Sequence, residues 1–472
     1  MMNSDMLRDA FTRFLWTLAD DLRGRMAMGS DDLIWLSGIA LLGKQASESD
    51  SRSSGSAMVQ KAYQNFLATT SEGPKAFMDL VDALSEGDKE LGEALSTLGP
   101  NFLAHPDPGA LLTIRNALVH ASLPSLGTRE AQFALGDAVI DTYVRRFGRM
   151  GGELVIPRSV GQLVATLAHP APEETTHVPF SRLGTLIAEA HRMQPGSQTM
   201  EGSGCIQGFE RNQGTWARGV LMLRLYGIPG GFTETFPSYR FQGVQADVVM
   251  SCPPFGVADP GTAQAIRYSI PELASDLPEQ AIRDFAGVFQ VLQSVGPKGR
   301  AVVVVTPGLL FRMGAVARVR AGWVAEDMLE AVITLPPGLF SGIAIATAVM
   351  VFNRDKPVDR RGRVLLVAAE NLSKARPSRK AEDEPFIQQI QRILLAYTLF
   401  QDDPSLAVVV TAEELAAQDW NFSPSRYLAL EEQHVTGPDL KTLQDSLVVT
   451  EAKAAEARDR LDAAIKSLLS DT

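Results

Sequence analysis

The chain has 472 residues, 45% of them hydrophobic and 21% charged, with a formal net charge of −11. That is enough for two or three domains with a substantial core, and it argues against a generally basic nucleic-acid coat while leaving room for a local basic groove. Cys205 and Cys252 offer no disulfide framework, six scattered histidines offer no metal-ligand spacing, and the strongest apolar run, Ala301 to Phe311, is broken by Pro307 and Gly308. With no signal-peptide pattern at Met1 to Phe14, a cytoplasmic protein without a membrane partner is expected.

Leu7, Phe11, Phe14, Leu18 and Leu22 recur at helical spacing, and "DDLIWLSGIALLG" continues in that style. A Ser-rich stretch, Lys44 to Met58, has the composition of an exposed flexible loop. Residues 1–136 are expected to form a helical domain. Beyond it, "CIQGFE", "ADVVMS", "RAVVVVTP", "LEAVITLP", "TAVMVFN" and "RVLLVAA" alternate with helical segments. Continuous apolar strands of this kind imply a mostly parallel sheet covered on both faces, hence a doubly wound α/β domain over residues 137–380. "SKARPSRKAEDEP" makes a charged link, and residues 381–472 are expected to be helical. Within them Leu440, Leu447, Ala454, Leu461 and Leu468 fall seven apart, with Leu443, Thr450, Ala457 and Ala464 three residues after the first four. Such a seam suits docking on a partner helix or packing on its own domain, and the spacing does not choose.

"ADVVMSCPPFG", Ala246 to Gly256, carries the chemistry. A buried strand runs into two prolines that cannot continue the ladder, so Phe255 is expected at the carboxyl edge of the sheet, where open α/β folds bind ligands. This segment resembles "ADVVLANPPFG" of the N6-adenine DNA methyltransferase subunit of type I restriction–modification systems. "GRAVVVVTPGLLFRMGAVARVRAGWVAEDMLEAVITLPPGLFSGIAIATAVMVFNRDKP", "IQGFERNQGTWARGVLMLRLYGI", "LWTLADDLRGRM" and "DWNFSPSRYL" resemble further family stretches. The likeness covers nearly the whole chain and is weakest from Ala46 to Asp137.

The resemblance implies a Rossmann-like class I methyltransferase domain, S-adenosylmethionine as cofactor and DNA as substrate. It also implies a specificity-type subunit as partner, with a translocase or a second methyltransferase subunit as further candidates. In such enzymes the adenine is flipped out of the duplex. The Asn side chain and the first Pro carbonyl of Asn-Pro-Pro-Phe accept hydrogen bonds from its amino group, and the aromatic ring stacks on the base, a contact worth roughly 1–3 kcal/mol. Here Cys252 stands where the family has Asn, and a thiol is a poor acceptor. Pro253, Pro254 and Phe255 match. Ser251, one residue early, is expected on the other face of its strand.

For the cofactor loop, "HVPFSRLG" takes the place of the family's "DPACGSGG". His177 stands at the acid position, Ser181, Arg182 and Leu183 replace glycine, serine and glycine, and Gly184 remains, so side chains fill space that bare backbone needs. "EGSG", Glu201 to Gly204, runs straight into the next strand and is expected to be a turn. Leu154, Val155 and Ile156 replace Phe-Tyr-Thr upstream, while Glu210 matches the acid that binds the ribose hydroxyls. The expected function is a catalytically degenerate DNA- and partner-binding subunit. An active N6-adenine methyltransferase and a regulatory protein without DNA contact are the alternatives. A basic cluster of Arg312, Arg318 and Arg320 favours DNA contact, against a solvated helix face.

Overall fold

The computed structural model describes residues 3–22, 30–48, 54–69, 73–99, 103, 106–151, 155–194, 205–234, 245–255, 276–340, 346–372, 384–428, 444–445, 447–453, 455–456, 458 and 460. They fall into two units, Met1–Leu428 and Ala429–Thr472.

The first unit opens with helices Ser4–Leu22, Ser30–Glu48, Ser54–Ala68, Gly73–Gly87, Lys89–Leu98, Pro108–His120 and Arg129–Gly151. Their starts follow local chemistry: the Asp88 and Asp107 side chains accept the amides of Leu91 and Ala110 at 3.0 and 2.7 Å, and Pro108 fills a first-turn position whose N–H has no helical partner. The predicted stripe is seen, with Leu7, Phe11, Leu18 and Leu22 buried and Phe14 packed on the core from its margin. The Ser-rich stretch corrects the expectation of a loop. Lys44 to Glu48 and Ser54 to Met58 are helical, while residues 49–53 lie outside the described set. A Lys44–Glu48 ion pair spans one turn, and the Glu48 carboxylate also accepts the Leu126 amide at 2.6 Å.

The sheet has nine strands: β1 (Thr176–Pro179), β2 (Ile206–Glu210), β3 (Phe232–Glu234), β4 (Ala246–Ser251), β5 (Val295–Val305), β6 (Leu329–Thr334), β7 (Ala348–Asn353), β8 (Arg363–Ala368) and β9 (Ala407–Thr411). Their order is β3-β2-β1-β4-β5-β7-β6-β8-β9. The β1–β2, β2–β3, β1–β4, β4–β5 and β6–β8 pairs are parallel; β7 runs antiparallel to both β5 and β6, and β9 antiparallel to β8. Burial on both faces accounts for the unbroken apolar runs. Val248, Met250, Val302 and Val304 pack into one core, while Val249, Ala301, Val303 and Val305 pack into the other.

The six expected strands are present. β1, β3 and β9 are additions, and β9 corrects the expectation that residues 381–472 are helical throughout. "AVVVT" is five residues long with three of them only half-buried, a pattern that suits an edge strand closing the sheet beside β8. No described helix is long and apolar enough to cross a membrane. In the second unit the described residues between 444 and 460 are helical, and Leu447 is 57% exposed. Leu440, Leu443, Ala454, Ala457, Leu461, Ala464 and Leu468 of the proposed seam lie outside the described residues, as do Leu154 and Glu201 to Gly204.

Candidate functional site

The chain winds outward from β1 to β3 and then crosses back to β4, so the strand order reverses between β1 and β4. The carboxyl ends of strands at such a reversal form the crevice in which open α/β sheets bind ligands. His177 of β1 lies beside Val249 of β4 in register, and the loops that follow the two strands meet above them. "HVPFSRLG" and "SCPPF" are therefore brought together, as the motifs require.

The β1 loop folds tightly on itself. Phe180, Arg182 and Gly184 have φ of +57, +54 and +83°, left-handed values that only the glycine adopts without strain. The Ser181 amide donates to Phe209 O at 2.9 Å, its hydroxyl donates to Val178 O, and the Phe209 amide donates back to that hydroxyl at 3.0 Å. Ser181, Arg182 and Leu183 are all buried. Leu183 packs into the core, while Ser181 and Arg182 tie their side chains across the ends of β1, β2 and β4. Gly208 of β2 leaves room for Ile187 and Ser181, whose Cδ1 and Oγ would stand 2.1 and 2.7 Å from a Cβ there.

His177 is buried inside the strand, its ring edge-on to Phe209 with centroids 5.6 Å apart and its Nδ1 without a hydrogen bond. Burial pulls its pKa down to about 4, although nearby Asp247 opposes the shift. It is neutral at pH 7 and supplies no acid. Glu210, at the end of β2, accepts the Arg182 amide at 3.0 Å on Oε2, and those of Arg211 and Asn212 at 2.9 and 3.0 Å on Oε1. Three of its roughly four lone-pair directions are thus taken by the protein's own backbone.

On the β4 side, Ser251 turns its hydroxyl to Pro179 O at 2.9 Å, away from the following residues as the strand period predicts, and so ties the two strand ends together. Cys252 is fully buried, and burial pushes its thiol pKa up, with Arg182 opposing; an un-ionised thiol here is a small apolar filler. Pro253 packs closely on the Glu279–Gln293 helix, where a Cβ added at Gly287 would lie 2.2 Å from its ring. Pro254 is exposed, and Phe255, half-buried, sets its ring edge-on against Phe340, centroids 5.4 Å apart.

Beside them is a shallow hollow of about 10 Å³, lined by Pro253, Pro254, Phe255, Asp284, Val288, Val304, Val305 and Thr306. The Thr306 hydroxyl there has no hydrogen-bond partner among the described residues, and Asp284 pairs with Arg312. Asp284, Thr306 and Phe340 carried no sequence signal, because each reaches the site through tertiary packing. The larger omission was the reach of Arg182. Its Nε and Nη2 donate to the carbonyls of Cys252 and Pro253, each at 3.3 Å.

The basic cluster is dispersed. Arg320 is fully buried and donates to Trp420 O and Leu309 O, Arg312 is engaged by Asp284, and Arg318 forms an exposed ion pair with Asp276 at 2.6 Å. These residues form no free cationic patch, because the chain's own carboxylates and carbonyls use them.

Residues 134–435 match the family described as N-6 DNA methylase. The type I restriction enzyme MjaVIII methylase subunit of Methanocaldococcus jannaschii is 27% identical over 293 residues, 59% of this chain and 50% of that protein. The MpnII methylase subunit of Mycoplasma pneumoniae is 23% identical over 423 residues, 84% of this chain and 76% of its own length. This chain therefore spans only half of the first relative. Among solved structures, the type I restriction–modification methyltransferase subunit of Streptococcus thermophilus superposes with a TM-score of 0.67 at 19% identity, covering 90% of this chain and all of that one.

Proposed function

The chain belongs to the N-6 DNA methylase family, and we propose that within it this protein is a DNA- and partner-binding subunit of a type I restriction–modification-like complex that does not transfer methyl groups. One observation carries the reading. The side chains of Ser181 and Arg182 tie together the ends of β1, β2 and β4, so on this reading the residues present do not fit S-adenosylmethionine. No carboxylate stands at position 177, and Glu210 is already engaged by three backbone amides. On this reading the fold, the exposed rim at Pro254 and the family's partner surfaces are kept for assembly with a specificity-type subunit, a translocase or a second, intact methyltransferase.

The alternative, an active N6-adenine methyltransferase, draws on the half-buried Phe255 beside the exposed Pro254 and on a Thr306 hydroxyl without a partner among the described residues. Calorimetric titration of the purified chain with S-adenosylmethionine separates the two. No heat of binding is expected. Micromolar one-to-one uptake, or radiolabelled methyl transfer to adenine-containing DNA, refutes the proposal in favour of the alternative.

A further inference from the structure

Arg182 makes two connections from one residue. Its amide is held by Glu210 at the edge of β2, and its buried guanidinium crosses the reversal in strand order to reach the carbonyls of Cys252 and Pro253. Those carbonyls lie past the last register pair of β4, Ser251 with Val303, so no strand ladder uses their lone pairs. Among the described residues no carboxylate forms an ion pair with the guanidinium. A purely structural link would not need a charge there, since burying a cation against two carbonyls alone is costly and a methionine of similar length would fill the same space.

What the guanidinium offers is a flat fork of N–H donors. The exocyclic amino group of adenine is also flat and also presents two N–H donors. We propose that Arg182 is an internal occupant of the adenine-amino site, taking the Pro253 carbonyl that would accept the amino group, together with the Cys252 carbonyl beside it, and excluding an extruded base from them. This rests on the inactive-subunit reading and deepens it. Extrusion of a base costs a few kcal/mol that the pocket must return. With its acceptors already used, the pocket returns less, and DNA is held as an intact duplex.

The test is equilibrium dialysis of tritiated adenosine against the full chain, unaltered and with Arg182→Met or Arg182→Ala, using purine riboside, which lacks the amino group, as competitor. The unaltered chain should retain no more adenosine than an unrelated protein. Both variants should bind adenosine more tightly by about tenfold or more, and purine riboside should compete poorly, because the freed carbonyls have one fewer buried unmet acceptor only when an amino group is present. Near-ultraviolet circular dichroism establishes that each variant is folded, and Arg182→Met keeps the packing of the aliphatic stem should Arg182→Ala fail. Equal adenosine binding by all three chains, or variants that take adenosine and purine riboside alike, overturns the inference. S-adenosylmethionine titrated in parallel keeps the two ideas apart. Uptake by the unaltered chain sinks the inactive-subunit reading, whereas absence of uptake with no adenosine gain in the variants sinks this one alone.

Discussion

Glu189→Gln should stabilise the protein above neutral pH. Glu189 sits at the centre of a buried charge cluster. Asp137, on the helix Arg129–Gly151, receives Arg192 at 3.0 Å, Arg158 at 3.2 Å and the Tyr226 hydroxyl at 3.2 Å, while Glu189 faces Arg192 Nε at 3.3 Å. Burial lifts the Glu189 pKa from 4.5 to about 7; Arg192 and Arg158 pull it down, and Asp137 pushes it up. A raised carboxyl pKa means the folded state holds the proton more tightly than the unfolded chain. The resulting stability is full below about 4.5 and is lost as pH rises through about 7. A shift of that size corresponds to on the order of 3 kcal/mol, at about 1.4 kcal/mol per pH unit. Glutamine keeps the shape and an oxygen for Arg192 but cannot ionise. The stability difference between Glu189→Gln and the parent, from urea titrations at half-unit steps between pH 5 and 8, should therefore start near zero and grow to as much as about 3 kcal/mol. Parallel pH profiles would show that Glu189 is already charged, or solvated, in the fold and would refute the reasoning.

Arg320→Ala should cost about 3–5 kcal/mol, since it leaves the Leu309 and Trp420 carbonyls without their donor and opens a void beneath Phe422; Arg320→Met, which fills the space, should cost less, as thermal melts will report. Asp88→Ala should cost about 2–4 kcal/mol by removing a helix cap and one carboxylate facing Arg224, and Asp88→Asn, which keeps the cap, roughly half of that. Burial raises the Asp88 pKa, but the Arg224 hydrogen bond and charge outweigh it and hold the carboxyl below its usual 3.8, so this contribution is present at neutral pH and is lost as acid titrates the site below that value. Cys252→Asn alone should leave methyl transfer to DNA undetectable, because both reactants must be held in attack geometry; activity in that single variant would show that the β1 loop does admit the cofactor.

The sheet was legible because its strands are buried on both faces. "AVVVV" in β5 or "AVIT" in β6 cannot lie half-exposed, and the six strands written this way are the six that were expected. The strands not expected are short or lie at the sheet's edges: β3 has three residues, β1 four, and β9 is an edge strand with three of its five residues only half-buried. The helical character of Lys44 to Glu48 was hidden by serine-rich composition, and contacts distant in sequence, such as Glu48 with Leu126, override that local preference. In the site, backbone positions were readable from motif spacing. The directions of long side chains were not. Arg320 counted as part of a basic patch although its head is buried, and Arg182 counted only as bulk although its donors travel to another loop.

That last difference changes how the altered motifs relate. In sequence, the departures from the family motifs that the resemblance implies, Arg182 in the β1 loop and Cys252 after β4, lie about 70 residues apart. In space they are joined by Arg182 reaching Cys252 and Pro253, and by Ser251 reaching Pro179. Here an arginine reaches those carbonyls from the loop after β1, and with it in place an asparagine amide at position 252 would lack its neighbouring acceptor, the Pro253 carbonyl. A carboxamide beside an occupied carbonyl holds no amino group in place, so nothing in the chemistry favours keeping it over a compact buried thiol. On the proposed inactive reading the two differences meet in a single crevice, and restoring asparagine at position 252 alone leaves Arg182 in possession of it.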